Sequence, residues 1–107
     1  MGLSDPYVIE VLDHGAMTVD DDNVDVFVYF PDGRKYVGTF FTLRNIERIM
    51  RKDEVTGECA GGLYFWATDM IIVGRLDKET IHKTVADLMA TGEFETAFGG
   101  PFPLDLT

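Results

Sequence analysis

The sequence is poor in the side chains that enzymes use as nucleophiles and metal ligands. It contains one cysteine, Cys59, one serine, Ser4, and two histidines, His14 and His82, that are far apart. A single cysteine excludes an internal disulfide and a multi-thiolate zinc site, and the histidines lack the close spacing of a zinc or iron site. No glycine-flanked nucleophile elbow surrounds Ser4. We therefore expect no cofactor and no metal, and catalysis is the less favoured interpretation.

Long apolar runs and basic side chains are also scarce. No apolar run approaches the ~18 residues of a membrane-spanning helix, and the first residues lack the basic start of a signal peptide. The 107 residues include 19 acidic and 9 basic side chains, which gives a net charge of −10. These features predict a cytoplasmic protein without membrane contact, and the negative charge makes nucleic acid an unlikely partner.

Charge is unevenly distributed along the chain. Residues 1–33 hold eight acids and no Lys or Arg, whereas residues 34–52 hold six bases and one acid. We expect the early acids to form a surface for a basic protein partner, provided that no Arg or Lys of the chain pairs with them. The alternative is that acidic strands and a basic helix neutralise one another within the fold. The side chains assigned to this surface are Asp13, Asp20, Asp21, Asp22, Asp25 and Asp32.

Period-two alternation and turn residues predict a largely antiparallel sheet. Short strands are expected over 7–12 and 16–19, a hairpin over 24–30 and 34–41 with its turn at 31–33, and a second hairpin over 63–67 and 70–74. Gly38 indicates a bulge or a close backbone contact. An offset of 35 residues aligns the two halves, which suggests a hairpin followed by a helix, twice.

Two helices complete the predicted fold. The first is capped by Thr42, ends at Gly57 and buries Leu43, Ile46, Ile49 and Met50, and the second starts at Asp77, ends at Gly92 and buries Ile81, Val85, Leu88 and Met89. The fold class is α+β, with five to six mainly antiparallel strands, both helices on one face, and the order β(β)-ββα-ββα. The chain is interpreted as one domain, 1–107, with an extended C-terminal tail over 99–107.

Two helices of this length cover only one face of such a sheet. The opposite face must be covered by other segments of the chain, by a second copy or by another protein. The sequence therefore leaves a homodimer open beside a separate protein partner.

Two further sets of side chains are candidates for binding. A basic face of the first helix, suited to an anion, is formed by Arg44, Arg48, Arg51 and Lys52. A pocket between sheet and helices would contain Trp66, Asp69 and His82, because antiparallel sheets with helices on one side often hold ligands there. Asp69 beside the aromatic Trp66 is the candidate for acid or base work in that pocket. Solvated side chains without a binding role are the alternative interpretation of both sets.

The favoured function is a small non-catalytic protein-binding module, similar in size and charge to inhibitors and immunity proteins. The alternative function is a small ligand-binding domain or enzyme that uses the candidate pocket.

Overall fold

A computed structural model describes residues 7–13, 15 and 17–103. The elements, in chain order, are β1 (Val8–Leu12), β2 (Asn23–Tyr29), β3 (Arg34–Thr42), α1 (Leu43–Thr56), α2 (Glu58–Gly62), β4 (Met70–Val73), α3 (Lys78–Thr91), α4 (Phe94–Ala97) and β5 (Gly99–Pro103). Of the predicted C-terminal tail, 99–103 is strand β5, and 104–107 lie outside the described residues.

The five strands form one mostly antiparallel sheet, which confirms the α+β prediction. The order is β1-β2-β3-β4, and β5 also pairs with β3. Since β2 occupies one edge of β3, β4 and β5 share the other edge, β4 at residues 39–42 and β5 at residues 34–37. The β2–β3 hairpin turns at 31–33 as predicted, with the Phe30 N–H donating to the Arg34 carbonyl over 2.9 Å.

The second predicted hairpin is wrong, because β4 runs parallel to β3. Residues 63–67 form no strand. Instead, the chain leaves α1, reverses at α2 and returns to the level of Thr39, where the Thr39 N–H donates to the Asp69 carbonyl over 3.0 Å. Phe65 packs against Phe41 with ring centroids 5.2 Å apart. The apolar residues that resemble a strand in sequence therefore hold a loop in place, and we call this loop, residues 63–69, the returning loop.

The short strand predicted over 16–19 is also not formed in the residues that the structure describes there, 17–19. His14 and Ala16 lie outside the described residues. Of the proposed repeat, the helical part is present: α1 and α3 each span 14 residues and begin 35 positions apart, but no hairpin precedes α3.

The predicted helix boundaries are confirmed by their capping contacts. The Thr42 side chain accepts from the Asn45 N–H, and the Asp77 side chain accepts from the Thr80 N–H. Gly57 and Gly92 end the two helices in the left-handed conformation that glycine adopts most easily.

The core lies on one face of the sheet. Val24, Val26 and Val28 of β2 alternate into it, and Ile81 and Val85 of α3 pack over the same cluster. An aromatic group closes one end of the core, formed by Phe30, Tyr36, Phe94 and Phe98. The close contact predicted at Gly38 is with Phe98, whose ring lies where a β-carbon would stand.

The predicted burial of the α1 apolar stripe is wrong. Leu43 is 67% exposed, Ile46, Ile49 and Met50 are only half-buried, and the buried side chains of α1 are the polar Asn45 and Asp53. Asn45 fixes this rotation of the helix, since its side chain accepts from Asn23 over 2.7 Å and donates to Asp21 over 3.2 Å. The side of α1 that carries Asn45 therefore faces the end of the sheet.

Candidate functional site

The β1–β2 connection gathers most of the predicted acidic surface at one end of the sheet. Asp13 follows β1, and Asp25 on β2 pairs in register with Leu12 and Thr39. Some of these carboxylates also hold the backbone of the connection through hydrogen bonds. Asp13 accepts from the Gly15 N–H over 3.2 Å, and Asp22 accepts from the Thr18 and Asn23 N–H groups over 3.0 and 2.8 Å.

Two of the six predicted acids are paired with arginines of the same chain. Both oxygens of Asp21 accept from Arg48 at 3.0 Å, and this hydrogen bond lowers the pKa of Asp21. Asp32 pairs with Arg34 at 2.7 Å, and the Arg34 backbone N–H lowers the pKa of Asp32. The expectation that the chain's own bases leave the acids unpaired is therefore not met at Asp21 and Asp32.

The remaining acids stand beside exposed apolar side chains. Across the described ranges, Asp13, Asp20, Asp22 and Asp25 form no ion pair with a Lys or Arg. Leu12, at the end of β1, and Val19, in the β1–β2 connection, are 40% and 39% exposed. We refer to this mixed surface as the acidic edge, and its members are Leu12, Asp13, Val19, Asp20, Asp22 and Asp25.

The predicted anion-binding face of α1 is largely neutralised by internal ion pairs. Arg48 is bound to Asp21, Arg51 pairs with Glu47 at 3.0 Å, and Lys52 pairs with Glu58 at 3.1 Å. Contact with Glu58 raises the pKa of Lys52. Among the described residues, Arg44 is the member of this set without such a partner, so an anion would have to displace carboxylates already in place.

The three residues of the predicted pocket lie in different settings. Trp66 is 67% exposed in the returning loop, His82 is exposed on α3, and the Asp69 carboxylate lies against the backbone of Gly99. None of them lines the groove that runs along α1. A pocket shared by the three residues stays a prediction.

An open groove of about 440 Å³ runs along α1. We call it the α1 groove, and it is lined by Leu43, Ile46, Glu47, Met50, Arg51, Glu54 and Gly62. Its presence follows from the rotation of α1, which turns the apolar stripe away from the core. The sequence alone does not predict this groove, because an apolar helical stripe is normally assigned to the core.

Cys59 is held in a setting that disfavours a reactive thiolate. Desolvation raises the pKa of Cys59, and the Asp53 carboxylate raises it further. A reactive cysteine requires a lowered pKa. Over the described part of the chain, no group of three or more His, Cys, Asp or Glu side chains is placed to hold a metal ion.

The chain matches no protein-family model, no curated protein and no solved structure. Among the helices that the structure describes, none combines the length and the apolar character needed to cross a membrane.

Proposed function

We propose that this chain is a small non-catalytic module that binds a basic protein through the acidic edge, as an inhibitor or immunity protein does. The observation that carries the proposal is the position of Asp13, Asp20, Asp22 and Asp25 next to exposed Leu12 and Val19, without a described Lys or Arg paired to them. Apolar contacts supply stability in protein interfaces, and charge complementarity supplies specificity and rate.

The charge of the whole chain supports the same partner class. A net charge of −10 attracts a basic protein over a distance set by ionic strength. The connection is also held in place before any partner arrives, since the Asp22 N–H donates to the Thr42 hydroxyl over 3.2 Å and Asp21 is bound to Arg48. A fixed surface loses little conformational entropy on binding.

The test compares two triple variants of a tagged chain in affinity capture from native lysate, read by mass spectrometry. One variant neutralises the acidic edge with Asp13→Asn, Asp20→Asn and Asp25→Asn. The matched control removes the same charge from exposed positions on α3, α4 and the link between them, with Asp87→Asn, Glu93→Gln and Glu95→Gln.

We expect the unmodified chain and the control variant to capture basic proteins at about 50 mM salt and to release them at about 500 mM. The edge variant is expected to lose the same proteins at low salt. Capture of one set of proteins by both variants, or retention that is indifferent to salt, contradicts the proposal.

A further inference from the structure

We propose that the α1 groove is a contact between two copies of this chain, which pair through antiparallel α1 helices. This inference concerns a different surface from the acidic edge and does not depend on the function proposed above.

The first support is the amount of apolar side chain exposed on α1 and in the returning loop. Leu43 at the start of α1 is 67% exposed, and Leu63 and Trp66 in the returning loop are 78% and 67% exposed. Within a folded monomer, exposed apolar side chains are usually scattered, whereas contiguous ones mark interaction sites.

The contacts of the returning loop bring its backbone beside α1. Gly62 lies against the Met50 carbonyl and Glu54 near the end of α1, and Phe65 packs on Phe41 just before α1 begins. The residues between, 63 and 64, must therefore run beside the half of α1 that carries Leu43, Ile46 and Met50.

The second support is the order of charges on α1. Glu47 and Arg51 lie two positions on either side of Ile49, and Arg44 and Glu54 lie five positions on either side of it. If a second α1 packs antiparallel about a two-fold axis that crosses the groove at the level of Ile49, each of these two acids faces a base of the other copy. Glu47 then meets Arg51 of the second copy, and Arg44 meets Glu54 of the second copy, as an isologous interface requires.

Charge also selects a second copy over other occupants. Helix α1 carries four bases and three acids in a chain with a net charge of −10, so two copies repel each other less at α1 than over the chain as a whole. A basic protein is attracted to the rest of the surface instead. The sheet face opposite the core suits self-pairing less well, because it carries the acids Glu10 and Asp25.

The first experiment measures the mass of the chain by light scattering after gel filtration, up to about 200 µM, where a dimer with a Kd of about 10 µM is mostly assembled. We expect a mass twice the 12.0 kDa of one chain. Leu43→Glu and, separately, Leu63→Glu should raise the Kd at least about tenfold, because each introduces a charge among the apolar side chains of the contact. Both side chains are largely exposed, and far-UV circular dichroism checks that the variants fold.

The control for that experiment is Ile72→Glu, which places the same charge on the sheet face, where Ile72 is 48% exposed. It should leave the dimer intact. A monomer at all concentrations overturns the proposal, and so does a dimer that Ile72→Glu separates while Leu43→Glu and Leu63→Glu do not.

A second experiment tests the antiparallel arrangement by rescue between chains. Glu47→Arg alone sets arginine against Arg51 of the second copy, and Arg51→Glu alone sets glutamate against Glu47 of the second copy, so each variant should be monomeric. An equimolar mixture restores both contacts and should form a mixed dimer. Because the pair within one helix stays broken after mixing, rescue cannot come from helix stability, and a mixture that stays monomeric overturns the arrangement.

Discussion

At the scale of single residues, the most unusual backbone lies in the reversal after α1. Cys59 and Ala60 have φ values of 49° and 55°, and Gly57, Gly61 and Gly62 are also at positive φ. These residues form a left-handed turn, in which an L side chain is disfavoured by about 1–2 kcal/mol per residue. The turn sends the chain back along α1, so this strain has a role in forming the α1 groove.

Ala60→Gly should therefore stabilise the protein, although glycine in place of alanine usually destabilises it. Release of the strain outweighs the entropy that glycine adds to the unfolded chain, and we expect a net gain of about 1 kcal/mol in urea unfolding. The matched control is Ala86→Gly in α3, which should lose about 1 kcal/mol. A loss at both positions would show that residue 60 is not strained.

A second residue-scale prediction concerns the cap of α3. The backbone N–H of Thr80 donates to Asp77 over 2.7 Å, and this contact, with the Arg75 ion pair, lowers the pKa of Asp77 from 3.8 to about 2. Because the folded-state value lies below the unfolded value, the ionised carboxylate stabilises the fold above pH 3.8, and this contribution is lost as the pH falls through about 2.

Asp77→Asn keeps an oxygen acceptor at the cap but does not titrate. The melting temperature of the unmodified chain should exceed that of Asp77→Asn at about pH 6, and the gap should close as the pH approaches 2. A gap of constant size across this range would contradict the lowered pKa.

At the scale of elements, α1 is positioned by polar contacts at its first turns. Asn45 is 2% exposed and forms hydrogen bonds with both Asn23 and Asp21. The β1–β2 connection, β2 and α1 therefore share one hydrogen-bond network. Asn45→Ala removes the hydrogen bonds to Asn23 and Asp21 and leaves a gap at a buried position, so it should lower the free energy of unfolding by about 2 kcal/mol. Val55→Ala, a change on the same helix where the side chain is 87% exposed, should have little effect in the same urea titration. Equal effects of the two would exclude an anchoring role for Asn45.

The elements also show where sequence patterns succeed and where they stop. The caps at Thr42, Asp77, Gly57 and Gly92 form with residues that are close in sequence. Local chemistry therefore predicts α1 and α3 and the positions of their ends. The second hairpin failed because aromatic and aliphatic side chains in 63–66 satisfy the composition of a strand, while the left-handed turn before them sets the direction of the chain. A period-two alternation of side chains carries no information about the direction in which the chain returns.

At the scale of the whole molecule, the charges and the apolar surfaces are arranged separately. The sequence predicts an acidic surface, because eight acids without a base precede Arg34. It does not show that Arg48 reaches Asp21, since that ion pair joins residues distant in the chain. The sequence also predicts, wrongly, that the apolar stripe of α1 lies in the core. An apolar stripe alone does not show which side of a helix faces the sheet. The acidic edge and the α1 groove were therefore only partly predictable.

The most direct test of binding through the acidic edge is the association rate constant with the captured protein, measured by stopped flow at several ionic strengths. If the negative field of this chain steers a basic partner, the association rate should fall at least about tenfold between about 50 and 500 mM salt, while the dissociation rate changes much less. An association rate that is equal at both ionic strengths would contradict the account.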